Sequence, residues 1–142
     1  MLKWIDYGSP DYEQMLQLRD EVLRKPLGLE LDRSKLDADK EANLLTYWHD
    51  DQIVGCMILS DDGNSRARMR AVAVSESEQG KGIGAIMVAE FERRAAELGF
   101  VESFAHARLV ALPFYLKLGY HTVGEQFVEV TIPHQAVVKV VR

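Results

Sequence analysis

Apolar residues recur along this chain with two periods, one of two residues and one of between three and four, and the switches between them divide it into strands and helices. Residues 2–7 are a short apolar-rich run ending at Gly8-Ser9-Pro10, where Ser9 can cap a helix whose first turn holds Pro10, Asp11 and Glu13. In that helix Met15, Leu18, Val22 and Leu23 share one face until Pro26 and Gly28 stop it. Residues 29–41, rich in Asp and Lys and weakly patterned, read as a surface connection with room for a short helix. Strand-like runs over 43–48 and 52–59 are joined at His49-Asp50-Asp51, and Asp61-Asp62-Gly63-Asn64 makes a second turn. These two turns imply an antiparallel meander. Its third strand, 66–74, alternates Arg with small or apolar residues and then becomes wholly apolar, which predicts a face that begins wet and an end that is buried.

The polar Ser75-Glu76-Ser77-Glu78 leads into Gln79-Gly80-Lys81-Gly82-Ile83-Gly84. From there Ile83, Met87, Phe91, Ala95 and Leu98 fall on one helical face, with Gly99 as the C-cap. Residues 101–105 read as a strand, 109–118 as a short helix, 120–123 and 127–132 as strand material, and 136–140 as the strand that closes the sheet. There is no repeat, low-complexity tract or long linker, so the 142 residues are expected to form a single domain, 1–142.

Composition narrows the function classes. Apolar residues make up 47% and charged ones 27%, proportions of a chain that folds around its own core. The net charge of -5 offers no general attraction to nucleic acid or an anionic membrane, so neither is expected as a partner. Cys56, the only cysteine, lies in the apolar run Ile53-Val54-Gly55-Cys56-Met57-Ile58-Leu59 and reads as buried packing rather than a nucleophile, and no metal site is expected. The N-terminus has no long apolar segment after a basic start, and nowhere do about eighteen apolar residues run together, so a cytoplasmic location is expected.

A strand, a glycine-rich turn and a helix present several backbone N–H groups and the positive end of a helix dipole to one point, which favours a phosphate or pyrophosphate. Alone the run is a weak signal, because Gly80-x-Gly82-x-x-Ala85 also fits a loose dinucleotide fingerprint and a glycine turn can simply cap a helix. The dinucleotide reading fails because Ser75–Glu78 intervene between strand and glycines and the next strand begins rather than ends on an acid, Glu102. A phosphate-binding P-loop needs Gly-Lys-Ser/Thr at its end, whereas Lys81 precedes the last two glycines and Gly84 is followed by Ala85.

Val72-Ala73-Val74 followed by Gln79-x-x-Gly82-x-Gly84 resembles motif A of the GNAT acetyltransferases, Arg/Gln-x-x-Gly-x-Gly/Ala after an apolar strand. Ala111-Leu112-Pro113-Phe114-Tyr115-Leu116-Lys117-Leu118-Gly119-Tyr120 resembles the family's motif B, in which a short helix carries Phe-Tyr and ends in Leu-Gly-Phe/Tyr. The two stand in the family's order and spacing, one helix and one strand apart. The C-terminal Phe127-Val128-Glu129-Val130-Thr131-Ile132-Pro133-His134 further resembles a small bacterial branch, ElaA-like and YjcF-like.

The resemblance implies an α/β fold of the GNAT acyl-CoA N-acyltransferase type, with a mixed, mainly antiparallel sheet of six or seven strands flanked by helices. It also implies acetyl-CoA as cosubstrate, no metal, and an amine acceptor on a small molecule or peptide, with direct transfer; dimers are frequent in the family, so a homodimer is compatible with it. On this alignment Val72, Ala73 and Val74 would lie along the pantetheine arm, with the Val72 amide holding the thioester carbonyl. Gln79, Gly80, Lys81, Gly82, Ile83 and Gly84 would carry the pyrophosphate, Gly82 and Gly84 being least replaceable because a Cβ would obstruct it. Phe114, Tyr115 and Lys117 complete the cofactor side. Tyr115 matches the family tyrosine that protonates the departing thiolate, or else packs beside Phe114. Glu129 and His134 are the candidates for the base, His106 a third, and each is also readable as an ordinary turn or edge residue. An acidic surface near the cleft would favour a cationic acceptor. The rival from another class is a catalytically inactive acyl-CoA-binding sensor or interaction module.

Overall fold

The computed structural model describes residues 1–142. Strands β1 (Leu2–Ile5), β2 (Asn43–His49), β3 (Gln52–Asp61), β4 (Arg66–Val74), β5 (Glu102–Arg108), β6 (His121–Glu129) and β7 (Ile132–Val140) form one seven-stranded sheet in the order β1-β2-β3-β4-β5-β7-β6. Only β4 and β5 run parallel. Helices α1 (Pro10–Leu23), α2 (Ile83–Glu97) and α3 (Leu112–Lys117) complete it.

The expected meander forms with both turns where the polar residues place them. Ser9 caps α1, its hydroxyl accepting from the Tyr12 amide at 3.2 Å. The apolar run of β3 is buried on both faces because helices cover both: Met57 and Leu59 enter the core beneath α2, Cys56 and Ile58 the core beneath α1. Met87 and Phe91 anchor α2 with no exposed surface, and each such burial contributes on the order of 1.5–3 kcal/mol. Burial pushes the Cys56 thiol up to about 12, so it stays protonated and inert.

Four sequence expectations change. Leu98 lies beyond the last turn of α2 and is 47% exposed, so the buried face ends at Ala95. Residues 127–132 are not one strand: Val130 and Thr131 form a hairpin turn with φ of 50° and 65°, and β7 begins at Ile132 instead of Ala136. Residues 121–123 and 127–129, from two separate runs, belong to a single strand, β6, which bulges between Val123 and Phe127. The apolar end of β4 is also less covered than expected, because Val72 and Val74 are only partly buried.

That last difference positions the site. β4 pairs with β5 only from Arg66–Glu102 to Met69–Ala105, although β4 runs on to Val74 and β5 to Arg108. Each strand keeps its other neighbour over this stretch, β4 to Gly55 of β3 and β5 to His134 of β7. The sheet therefore splits into a V. At the fork β4 carries a bulge, with Ala71 at φ 51°, a left-handed conformation that costs a non-glycine residue about 1–2 kcal/mol.

Candidate active site

The split opens a cleft of about 950 Å³ that passes through the sheet. On the α2 side it is lined by the glycine turn, the start of α2, Phe114 and Tyr115; on the α1 side by arginines, His106, Glu129 and His134.

Hydrogen-bond direction alternates along a strand. The Ser75 amide donates to the Val54 carbonyl of β3 at 2.8 Å, so the peptides of Ser75 and Ala73 face β3 and those of Val74 and Val72 face the open gap. Gln79 Nε2 donates to the Val74 carbonyl at 3.0 Å, which leaves the Val72 peptide and the Val74 amide open to a ligand. Ala73 lines the cleft, but its side chain is in the α1-side core.

Gly80 and Gly82 take φ of 82° and 83°, a region glycine enters without strain. Gly82 precedes α2 without any side-chain cap, so the first helical amides, Ile83 and Gly84 among them, point toward the cleft unsatisfied. The Gln79 amide is turned instead to the Glu76 carbonyl, at 3.4 Å. A Cβ on Gly82 would stand in open space, the space expected of the ligand, whereas one on Gly84 would meet the Phe114 ring at 3.2 Å. A side chain at Gly84 would thus press on the Phe114 ring that packs against the start of α2. The side chains of Lys81 and Lys117 do not line the cleft: Lys81 pairs with Glu78 at 3.1 Å and Lys117 is exposed.

Tyr115 is 5% exposed, set edge-on between Phe114 and Tyr120. Its hydroxyl has one weak partner, Met69 Sδ at 3.8 Å, and burial pushes its pKa up to about 12. A phenol in this setting is neutral and has a proton free to give.

The three candidates for the base come together. β5, β6 and β7 lie side by side, and their pairings place His106, Phe127, Glu129 and His134 on the α1 face. Glu129 Oε1 is 3.0 Å from His106 Nδ1, and Glu129 Oε2 is 3.7 Å from His134 Nε2. Phe127 stacks on His134 and meets His106 edge-on. His134 Nδ1 lies 2.9 Å from the Ile132 carbonyl, which only accepts, so that nitrogen carries the hydrogen and a neutral His134 turns its lone pair toward Glu129. His106 Nδ1 also lies 2.9 Å from Arg68 Nη2. It accepts from Arg68 when unprotonated there, or donates to Glu129 when protonated, and cannot do both.

Two groups of residues went unrecognised in the sequence. Buried Asp39 accepts from Tyr12 Oη at 2.6 Å, Arg19 Nη1 at 2.8 Å and Arg70 Nη2 at 3.2 Å, tying the 24–42 connection to α1 and β4. Arg24 and Arg108 form the second. The cleft lining holds five arginines and two glutamates, so the acidic acceptor surface entertained from the sequence is replaced by a basic one.

The glycine turn of motif A and the buried tyrosine of motif B thus face one cleft between the splayed ends of β4 and β5. The family model described as "Acetyltransferase (GNAT) family" matches residues 11–120. The chain belongs to the GNAT acetyltransferase family. Its relatives include the uncharacterized N-acetyltransferase YjcF of Bacillus subtilis, 26% identical over 86% of this chain and 87% of that one. Among GNAT folds it superimposes on Escherichia coli ElaA with a TM-score of 0.81 at 20% identity, over 98% of this chain and 99% of that one. It likewise matches a Bacillus subtilis acetyltransferase in complex with CoA, with a TM-score of 0.75 at 17% identity over 98% and 97%. The protein is a GNAT-family enzyme with the GNAT sheet of seven strands.

Proposed function

We propose that this enzyme transfers an acetyl group from acetyl-CoA directly to a primary amine. The observation that supports this best is the cleft itself, which sets an uncapped glycine turn and the open Val72 peptide on one line, with Tyr115 at the α2 side and Glu129 at the α1 side. Bound there, acetyl-CoA supplies an activated thioester carbonyl. Gly80, Gly82 and the first amides of α2 hold phosphate oxygens, and the Val72 amide meets the negative charge that develops on the carbonyl oxygen. The amine nitrogen forms a bond to the carbonyl carbon as the carbon–sulfur bond breaks. Its proton passes to Glu129, which lies between His106 and His134, and Tyr115 gives one to the sulfur, so one proton leaves and one arrives.

The reading is tested by calorimetric titration of acetyl-CoA and of CoA. Both are expected to bind the wild type, and Gly82→Ala is expected to weaken acetyl-CoA about tenfold, the cost of one charge-assisted hydrogen bond. The same variant should lose about 1 kcal/mol of stability, because alanine is strained at this φ. Absence of acetyl-CoA binding by the wild type defeats the proposal.

A further inference from the structure

The α1 face of the cleft carries more positive charge than acetyl transfer requires. Three of its arginines are answered by carboxylates: Arg19 and Arg70 by Asp39, and Arg68 by Glu129 at 3.7 Å. Arg24 and Arg108 make no ion pair. Both donate to one acceptor, the Leu23 carbonyl oxygen, Arg24 Nη1 at 3.1 Å and Arg108 Nη2 at 3.3 Å. Two like charges are thus held side by side in a partly buried wall. Each guanidinium has five N–H donors, so most of them are left over. Burial first, and the Arg24 charge second, pull the Arg108 pKa below its ordinary value. Such an arrangement is unfavourable alone and is relieved by an anion lying between the two forks.

That anion does not belong to acetyl-CoA's phosphates. Along β5, Ala105 and Ala107 enter the α2-side core, so His106 and Arg108, which alternate with them, face α1. Arg24 directly follows α1. The glycine turn leads into α2, on the opposite face of the sheet. The arginine pair therefore stands on the acceptor's side, with Arg108 two residues along the strand from His106, a separation of about 7 Å.

We propose that Arg24 and Arg108 form an anion-binding subsite for the acceptor, and that the acceptor is a small primary amine bearing a carboxylate or phosphate a few bonds from its nitrogen. This rests on the transferase reading. With the anion on the arginine pair, the amine reaches the Glu129 and His106 end of the cleft, and Val22, Leu23 and Leu31 supply an apolar wall between.

The test is a matched panel assayed by release of free CoA thiol. L-amino acids are compared with their carboxamides, and aminoalkyl phosphates with the corresponding amino alcohols, so the two anions are separated. An acid or phosphate is expected to exceed its uncharged partner in kcat/KM by about 10- to 100-fold, the worth of one or two charge-assisted bonds. Arg24→Gln and Arg108→Gln should each erase most of that preference through KM, with acetyl-CoA affinity and unfolding temperature near wild type. Arg24→Gln serves alone if the more deeply set Arg108→Gln does not fold. Anionic amines turned over no better than their uncharged partners, or a preference that both variants keep, overturns the subsite and leaves the transferase reading standing. If acetyl-CoA does not bind, or no amine reacts, calorimetry with N-acetylglycine and N-acetylglycinamide decides. The acid binding about tenfold tighter, and losing this in the variants, upholds the subsite; equal binding, or no binding of the acid, removes it.

Discussion

Asp39→Asn should lower stability by about 3–5 kcal/mol, because removing one member of a buried ion cluster leaves the others uncompensated. Asp39 is 1% and Arg19 7% exposed. The Arg19 Nε already lacks a partner, so loss of the carboxylate would strand most of that guanidinium. Arg70 is cushioned by a 2.9 Å bond from its Nε to Ser60 Oγ and by 23% side-chain exposure, which places the effect toward the lower end of the range. The unfolding temperature should fall by roughly 10 °C. Burial opposes the charge on Asp39, but hydrogen bonds from Tyr12 and Arg19 outweigh it and hold the carboxyl below its ordinary value. A depressed carboxylate contributes fully above its unfolded pKa of about 4 and loses that contribution as pH falls through the folded value. The gap in stability between wild type and Asp39→Asn should therefore be widest near neutrality and close below about pH 4. A wild-type melting temperature in the variant would show that the cluster contributes no more than an exposed ion pair.

The Asp39 cluster also shows where sequence reading stops. What was legible was local: the Ser9 cap, the polar turns of the meander, and the strand, glycine turn and helix that carry motif A each depend on residues a few positions apart. Asp39 draws its partners from positions 12, 19 and 70. Nothing in the Asp- and Lys-rich 29–41 stretch marks one aspartate as buried. The alternating arginines of 66–70 predict a wet face, yet that face looks onto α1 and the cleft, where Arg70 meets Asp39 and Arg68 meets His106. The turn at Val130–Thr131 was missed because neither residue is a turn former; the pairing of β6 with β7 imposes positive φ on both. The fork of the V likewise depends on Ala71, an ordinary residue held left-handed by its neighbours. Motif B points to Tyr115, but only the fold shows that its ring is enclosed and its hydroxyl nearly free.

Tyr115→Phe should leave acetyl-CoA affinity within a few-fold of wild type and reduce kcat by about 100-fold, the lower end of what a positioned general acid contributes. The lower end is expected because burial pushes this phenol up to about 12, well above the pH at which the enzyme works and above the range of a thiol near 8.5. Such a phenol does not hand its proton downhill to a finished thiolate. It donates a hydrogen bond to the sulfur as charge builds there during carbon–sulfur cleavage, and the uphill passage of its proton is completed as solvent resupplies one to the phenol. The pH profile follows with a definite sign. The phenol is protonated, and competent, at every pH below about 12, so wild-type kcat should rise with pH as the amine acceptor loses its proton and then stay level, without a descending limb up to about pH 10. Tyr115→Phe should lower that plateau without changing its shape. Unfolding should be almost unaffected, since Met69 Sδ is the only partner the hydroxyl leaves behind. Unchanged kcat in the variant would make Tyr115 a packing residue beside Phe114 and Tyr120; unchanged acetyl-CoA binding with no turnover in either form would favour the acyl-CoA-binding sensor over the enzyme.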